Sequence, residues 1–411
     1  MEITSKAERL ITLDAMRGFA VMGILAMNIV GFAMPEWAYV TPLAYGGDSQ
    51  SDRTAWLISF ILIDGKMRGL FSLLFGASMM LIIESAQAKG ESAANVHYSR
   101  MFWLALFGLA HFYFVWMGDI LFLYASIGSI AFWFRDWESE RLIKWALIIF
   151  AVGTLLWALQ FGGLQIMQMF ATAPGASPDL IRQYREIMAS PDFDFETASQ
   201  LSLHRSDYTG IVAGRLAEWT APFALVVQSI GETLPLMMIG MALKKNGFIT
   251  GEWARPDYAR WARKMLVPGM VLSILAGGAV AFAGYDKIAA LSVLFAWGAI
   301  PRLMLTIGYA ALLIMFIGKM ARSALIARVA AAGQAAFTNY LGTSLLMTTI
   351  FYGYGFGLFG YVGRTELWLF VIGAWVIMLL WSKPWLDRYR YGPAEWLWRS
   401  LARMKVQPLR R

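Results

Sequence analysis

The chain has 411 residues, 58% hydrophobic and only 15% charged, with a mean hydropathy of +0.54. A soluble domain would carry about a quarter charged residues, so a water-soluble class is excluded. The absence of Cys excludes disulfides, thiolate nucleophiles and Cys-ligated metals, and three His (His97, His111, His204) are too few for a His-rich metal centre.

A spanning helix needs roughly 20 mostly apolar residues. Such runs occur at about 18–35, 56–84, 101–117, 120–134, 143–166, 223–243, 265–283, 288–317, 334–358 and 365–383. They predict an all-α, polytopic transmembrane helix bundle of about ten spans. The first run follows Lys6 and Arg9 but contains Arg17 and Asn28 and has no small-x-small cleavage site, so it reads as a retained helix and not a signal peptide.

Ionisable groups inside spans are costly and normally face the bundle interior. In the first span, Asp14 and Arg17 are spaced to pair, and Asn28 falls on the face of Arg17 about three turns on. The second holds Asp64, Lys66 and Arg68; either its helix breaks at Gly65, or both its faces meet protein. The third holds His111, with Asp119 just beyond its end. The sixth carries Glu232 between Pro222 and Pro235, and the eighth carries Arg302 after Pro301, where a break is expected. A Glu232–Arg302 pair across helices is one reading of those two. The ninth contains Asn339 and Tyr340, suited either to helix packing or to a polar cavity. The glycine–aromatic run from Tyr352 to Gly363 reads as close packing at a span end. The economical expectation is one intramembrane cavity shared by these groups.

Lys and Arg number 25 in one set of alternate connections, counting the tail from Lys383, and 7 in the other. Positive charge stays inside, so both termini are expected in the cytoplasm, which agrees with an even number of spans. The same distribution explains the net charge of +8 without nucleic acid. The expected organisation is an N-terminal membrane bundle (1–166, spans one to five), an extracytoplasmic segment (167–222) of one or two surface helices, a C-terminal membrane bundle (223–383) and a basic cytoplasmic tail (384–411).

Several separated strings resemble one family. They are Leu13-Asp14-x-x-Arg17-Gly18-x-Ala20, Phe71-Ser72-Leu73-Leu74-Phe75-Gly76, Gly118-Asp119-Ile120-Leu121, Phe337-Thr338-Asn339-Tyr340, Phe351-Tyr352-Gly353 and Gly392-Pro393-x-Glu395-Trp396-Leu397-Trp398-Arg399. Nearly end to end, the chain resembles the YeiB-like family of bacterial inner-membrane proteins. More distantly, its first helix is similar to that of transmembrane acyltransferases, including the heparan-alpha-glucosaminide N-acetyltransferases and the bacterial integral-membrane O-acyltransferases. That resemblance implies acyl transfer from a cytoplasmic donor such as acetyl-CoA, or another acyl-CoA used as co-substrate, with no permanently bound cofactor. The glucosaminide enzymes have Asn where this chain has Asn28 but place a working His in the following loop. Here 29–55 contains no His. Either His111 or Glu232 has taken over as base, or the scaffold persists without the reaction.

On this reading His111, Asn28 and Glu232 are the catalytic candidates. Asp14, Arg17, Asp64, Lys66, Arg68, Asp119, Arg302, Asn339 and Tyr340 are the candidates for substrate binding. The expected partners are the lipid bilayer and a small-molecule or lipid substrate, with a homodimer left open. The alternatives are a transporter or permease for a small charged solute or lipid, and a non-catalytic membrane protein using the same cavity.

Overall fold

In the computed structural model, residues 6–189 and 193–411 are described. Residues 190–192, Asp192 of the 167–222 segment among them, lie outside the described residues.

Lipid offers no hydrogen-bond partners, so apolar runs must satisfy their backbone internally and become helices. In chain order these are α1 (Lys6–Ala33), α2 (Trp37–Val40), α3 (Gln50–Leu62), α4 (Lys66–Gln87), α5 (Ala93–Phe114), α6 (Leu121–Ala131), α7 (Ser139–Ala171), α8 (Pro178–Ala189), α9 (Phe193–His204), α10 (Tyr208–Ala217), α11 (Ala221–Lys245), α12 (Arg255–Phe282), α13 (Lys287–Ser292), α14 (Ala299–Met320), α15 (Ala324–Gln334), α16 (Ala336–Phe351), α17 (Leu367–Arg388) and α18 (Pro393–Ala402). No strand occurs among the described residues, only an isolated bridge between Tyr389 and Arg410. Starts are set locally. Ser49, Ser92, Asp207, Asp286 and Ser323 each accept a backbone N–H of the first turn they precede.

Among the described residues, seven stretches are long and apolar enough to cross a membrane: Ile11–Ala33, Gln50–Gln87, Ser139–Ala171, Ala221–Lys245, Arg255–Phe282, Ala299–Met320 and Leu367–Arg388. The other three predicted spans centre on α5, whose first turns are polar, and on the shorter α6 and α16. The predicted break at Gly65 is present, between α3 and α4. The break expected at Pro301 lies earlier: a π-helical turn at Val293–Trp297 separates α13 from α14. Pro301 itself sits in the first turn of α14, where a missing N–H leaves no bond unmade. The predicted span 334–358 is likewise cut at Ala335. Its upstream neighbour α15 fills most of what looked like a plain connection, because Gln334 Nε2 donates to Asp14 at 2.9 Å and docks it on α1. The 167–222 segment forms three helices, α8 to α10, instead of one or two.

Burial ranks the helices. In the spanning windows of α1 and the α3–α4 pair, 61% of residues are buried, against 17% in α7 and 22% in α12. The former therefore form the centre, while α7 and α12 turn Leu155, Leu156, Leu159 and Leu275 outward, as lipid-facing helices do. Central helices approach backbone to backbone. A Cβ on Gly76 would lie 2.0 Å from Met237 O and one on Gly240 1.9 Å from Leu73 O, so α4 and α11 meet at a contact that any larger residue would prevent. The glycine–aromatic run packs under α9 and α10, with Gly353 N donating to His204 O and Gly360 N to Ala33 O.

Candidate functional site

The expected single cavity resolves into separate groups. α11 and α14 bring Glu232 and Arg302 together, and α4 adds Arg68. Arg68 Nη2 lies 3.0 Å from one Glu232 oxygen and Arg302 Nε 3.1 Å from the other. Arg302 also donates to Leu294 O at the π-helical turn. One carboxylate thus bridges two guanidiniums across three helices and offsets one of their two charges. The Glu232–Arg302 pair across helices, one of the readings the sequence left open, is present, and Arg68 joins it. Lys66, fully buried, donates to Phe60 O and lies 4.9 Å over its ring, closing the break between α3 and α4. Gly65 makes that break with φ +68°, and a Cβ there would meet Arg302 Cδ at 2.1 Å.

Asp64 sits on the other side of the break, where Tyr39 Oη donates to it. Both line a gap of about 40 Å³ together with Trp56, Trp368 and Arg364. Arg364 lies outside the spans; burial lowers its pKa to about 10, partly offset by Asp52. Asn339 follows the helix-packing alternative. It donates to Ala332 O and Ser382 Oγ and accepts from Trp381 Nε1, a fully satisfied pin between α15, α16 and α17.

His111 and Asp119, each with only 1% of its side chain exposed, form a dyad with Nδ1 2.9 Å from Oδ1. The other Asp119 oxygen accepts from Phe122 N at 2.8 Å, capping α6 and fixing the carboxylate. A carboxylate can only accept, so Nδ1 is the donor and Nε2 is the ring nitrogen left to act on a ligand. His111 Nε2 is buried and has no hydrogen-bond partner among the described residues. The Tyr340 ring lies against the imidazole, centroids 5.2 Å apart, and Tyr340 Oη accepts from Ile120 N. On another side of Tyr340, Asn28 lines a gap of about 10 Å³ with Thr343 and Ser344, at the lower edge of what one water needs.

Tyr340 also lines the inner end of a much larger cavity, about 260 Å³, walled mainly by apolar side chains of α1, α4, α5 and α16, including Ile24, Phe71, Leu104 and Phe337. His111 itself does not line it; Tyr340 stands between. At the opposite end Arg17 is held by Asp14 (2.8 Å) and Ser78 (2.7 Å), beside Arg100 and Arg399. Of the predicted residues, only Arg17 and Tyr340 line this cavity.

The sequence reading gave no site role to Arg100, Glu395, Trp398 or Arg399, although the last three stand in one of the family strings. The available signal was Gly392-Pro393 opening a helix beyond the last span, with an apolar face at Trp398. α18 packs against α5 and α16. Trp398 Nε1 donates to Arg100 O (2.9 Å), and Glu395 accepts from Phe337 N (2.7 Å), Thr338 N and Thr338 Oγ1, capping α16. Burial holds the Glu395 carboxyl above its usual pKa, although these hydrogen bonds pull the other way.

Apolar helices with outward-facing leucines, broken at mid-bundle and enclosing buried charges, define a multi-pass integral membrane protein. The chain belongs to the YeiB-like family. It is 30% identical over 416 residues to "Uncharacterized protein YeiB" of Escherichia coli (strain K12), covering 98% of both chains. It is 30% identical over 419 residues to "Uncharacterized protein YxaH" of Bacillus subtilis (strain 168), covering 100% of this chain and 98% of that one. A Bacillus acidopullulyticus protein, "Uncharacterized 39.9 kDa protein in amylase 3'region", is 24% identical over 413 residues. The family described as "Protein of unknown function (DUF418)" matches residues 242–405. No solved structure matches the chain at a significant level.

Proposed function

We propose that this protein transfers an acyl group across the bacterial inner membrane, from a cytoplasmic thioester donor such as acetyl-CoA to an acceptor hydroxyl or amine. One observation carries the reading: an apolar cavity opens beside Arg17, Arg100 and Arg399 and ends on Tyr340, directly against the His111–Asp119 dyad. The excess of Lys and Arg on the side of the termini supports a cytoplasmic mouth.

An acyl arm in the cavity would bring its thioester carbonyl to Tyr340. Rotation of the Tyr340 ring would join the cavity to the dyad and to the gap beside Asn28. The acceptor oxygen or nitrogen attacks the carbonyl carbon while His111 Nε2 takes its proton. Asn28 Nδ2 donates to the carbonyl oxygen as negative charge develops there. The C–S bond then breaks, the sulfur leaves with the proton returned by His111, and an ester or amide remains. Asp119 keeps the imidazole in the tautomer with a free Nε2 and stabilises the imidazolium.

The test is CoA-thiol release from acetyl-CoA in inner-membrane vesicles, which retain native acceptors. Release that His111→Gln abolishes supports the reading; equal release from wild type and variant, or none from either, overturns it.

A second reading, a permease for a small charged solute, is favoured by two discontinuous helices meeting where Gly65 touches Arg302. Solute flux in proteoliposomes without thiol release would establish it over the first.

A further inference from the structure

A cluster of cations without carboxylate partners among the described residues lies beside the cavity, where the sequence reading placed a basic tail. An open groove of about 720 Å³ shares Leu81, Ile82, Arg100 and Arg399 with the cavity and continues from it. Its walls are the end of α4, the start of α5, and the chain from Tyr391 onward. Lys89, Arg100, Arg399, Arg403 and Lys405 line it, against the single carboxylate of Glu91. Among the described residues none of these five cations forms an ion pair with a carboxylate.

The groove is built and does not depend on a loose tail. Ser99 Oγ donates to Ala402 O at 2.7 Å, and Trp398 Nε1 binds the Arg100 carbonyl, so α18 is fastened along α5. The Arg100 guanidinium is held 4.1 Å over the Trp398 ring, and its Nε is sealed from water without a hydrogen-bond partner. Holding several like charges together opposes folding unless an anion neutralises them, and guanidinium forks match phosphate oxygens in pairs.

We infer that the groove between α4, α5 and α18 binds the phosphate groups of a ligand whose apolar arm extends into the 260 Å³ cavity. The inference rests on the acyl-transfer reading only where it takes a CoA thioester as the source of those phosphates; an anionic phospholipid would present the same chemistry to the same cations. α18 is then a binding element, and phosphate recognition depends on residues outside the spans.

The experiment uses the full-length protein, purified in detergent and reconstituted in nanodiscs. CoA binding is measured for wild type, for Arg399→Ala with Arg403→Ala, and for the rim variant Arg403→Glu, whose exposed position spares the fold. Phosphatidylglycerol is compared with phosphatidylcholine as a bound lipid for the same proteins. The expected result is CoA binding that weakens with salt and falls by about tenfold or more in the variants, at unchanged melting temperature. CoA binding of this kind without thiol release would sink acyl transfer and leave the groove standing. Arginine-dependent retention of phosphatidylglycerol without CoA binding supports the groove with lipid as its source. Wild-type binding of both probes by the variants, or no binding of either by the native protein, overturns the inference.

Discussion

The Nδ1 of His111 lies 2.9 Å from an Asp119 oxygen while its Nε2 has no hydrogen-bond partner among the described residues. The two are eight positions apart in sequence, and the bend over Val115–Ile120 brings them together. If the dyad is the base, Asp119→Asn should lower thioester turnover by roughly 100-fold or more, the contribution of a positioned general base. His111→Gln should do the same, and thiol-release kinetics of both variants against wild type would decide it. Asp119→Asn keeps a side-chain oxygen for Phe122 N and should spare the start of α6, whereas Asp119→Ala should loosen it by about 1 kcal/mol.

Among the described residues, Glu232 is the sole carboxylate bonded to both Arg68 and Arg302. Glu232→Gln leaves two guanidiniums in the bundle without their counter-ion, a change that costs about 3–5 kcal/mol in buried pairs. Since Arg68 and Glu232 are only partly enclosed, with 29% and 21% of their side chains exposed, the lower end applies. Thermal denaturation in detergent should show a clear drop. An unchanged melting temperature with lost turnover would instead return Glu232 to the catalytic role first considered for it.

Gly65→Ala and Gly90→Ala form a matched pair. Both glycines have positive φ, +68° and +71°, but only Gly65 has neighbours for a Cβ, with Arg302 Cδ at 2.1 Å. Gly90→Ala should cost about 1–3 kcal/mol of backbone strain or less. Gly65→Ala should cost more and disturb the Glu232 network as well. Equal melting temperatures for the two variants would mean that the Gly65–Arg302 contact is relieved without effect.

Glu395 gives a pH dependence of defined sign. Its folded-state pKa is raised by burial above its usual 4.5, so the folded chain holds this proton more tightly than the unfolded one. Its contribution to stability is therefore complete below about 4.5 and is lost as pH rises through the folded-state value. Glu395→Gln, which keeps an acceptor for Phe337 N and Thr338 N, should flatten this part of the profile. Melting temperatures measured from pH 4 to 7 for both proteins would show it; parallel curves would contradict it.

Composition and periodicity alone established the helical membrane class, the positions of the apolar runs and the spacing that pairs Asp14 with Arg17, and they offered a break at Gly65 as one of two readings. These depend on the cost of burying charge in lipid and on groups three or four residues apart, both of which are local quantities. Which charges neutralise one another was decided only in three dimensions. Glu232 meets Arg68 164 positions away and Arg302 70 positions away, and no spacing rule encodes such distances. The same holds for Asn339, whose hydrogen-bonding groups are taken up by Ala332, Ser382 and Trp381, and for α18, which reads as a tail by charge yet docks by Trp398 and Glu395. Packing chooses partners by the shape of the helix faces that meet, so a residue's polarity announces that it needs a partner and leaves open which one it will find.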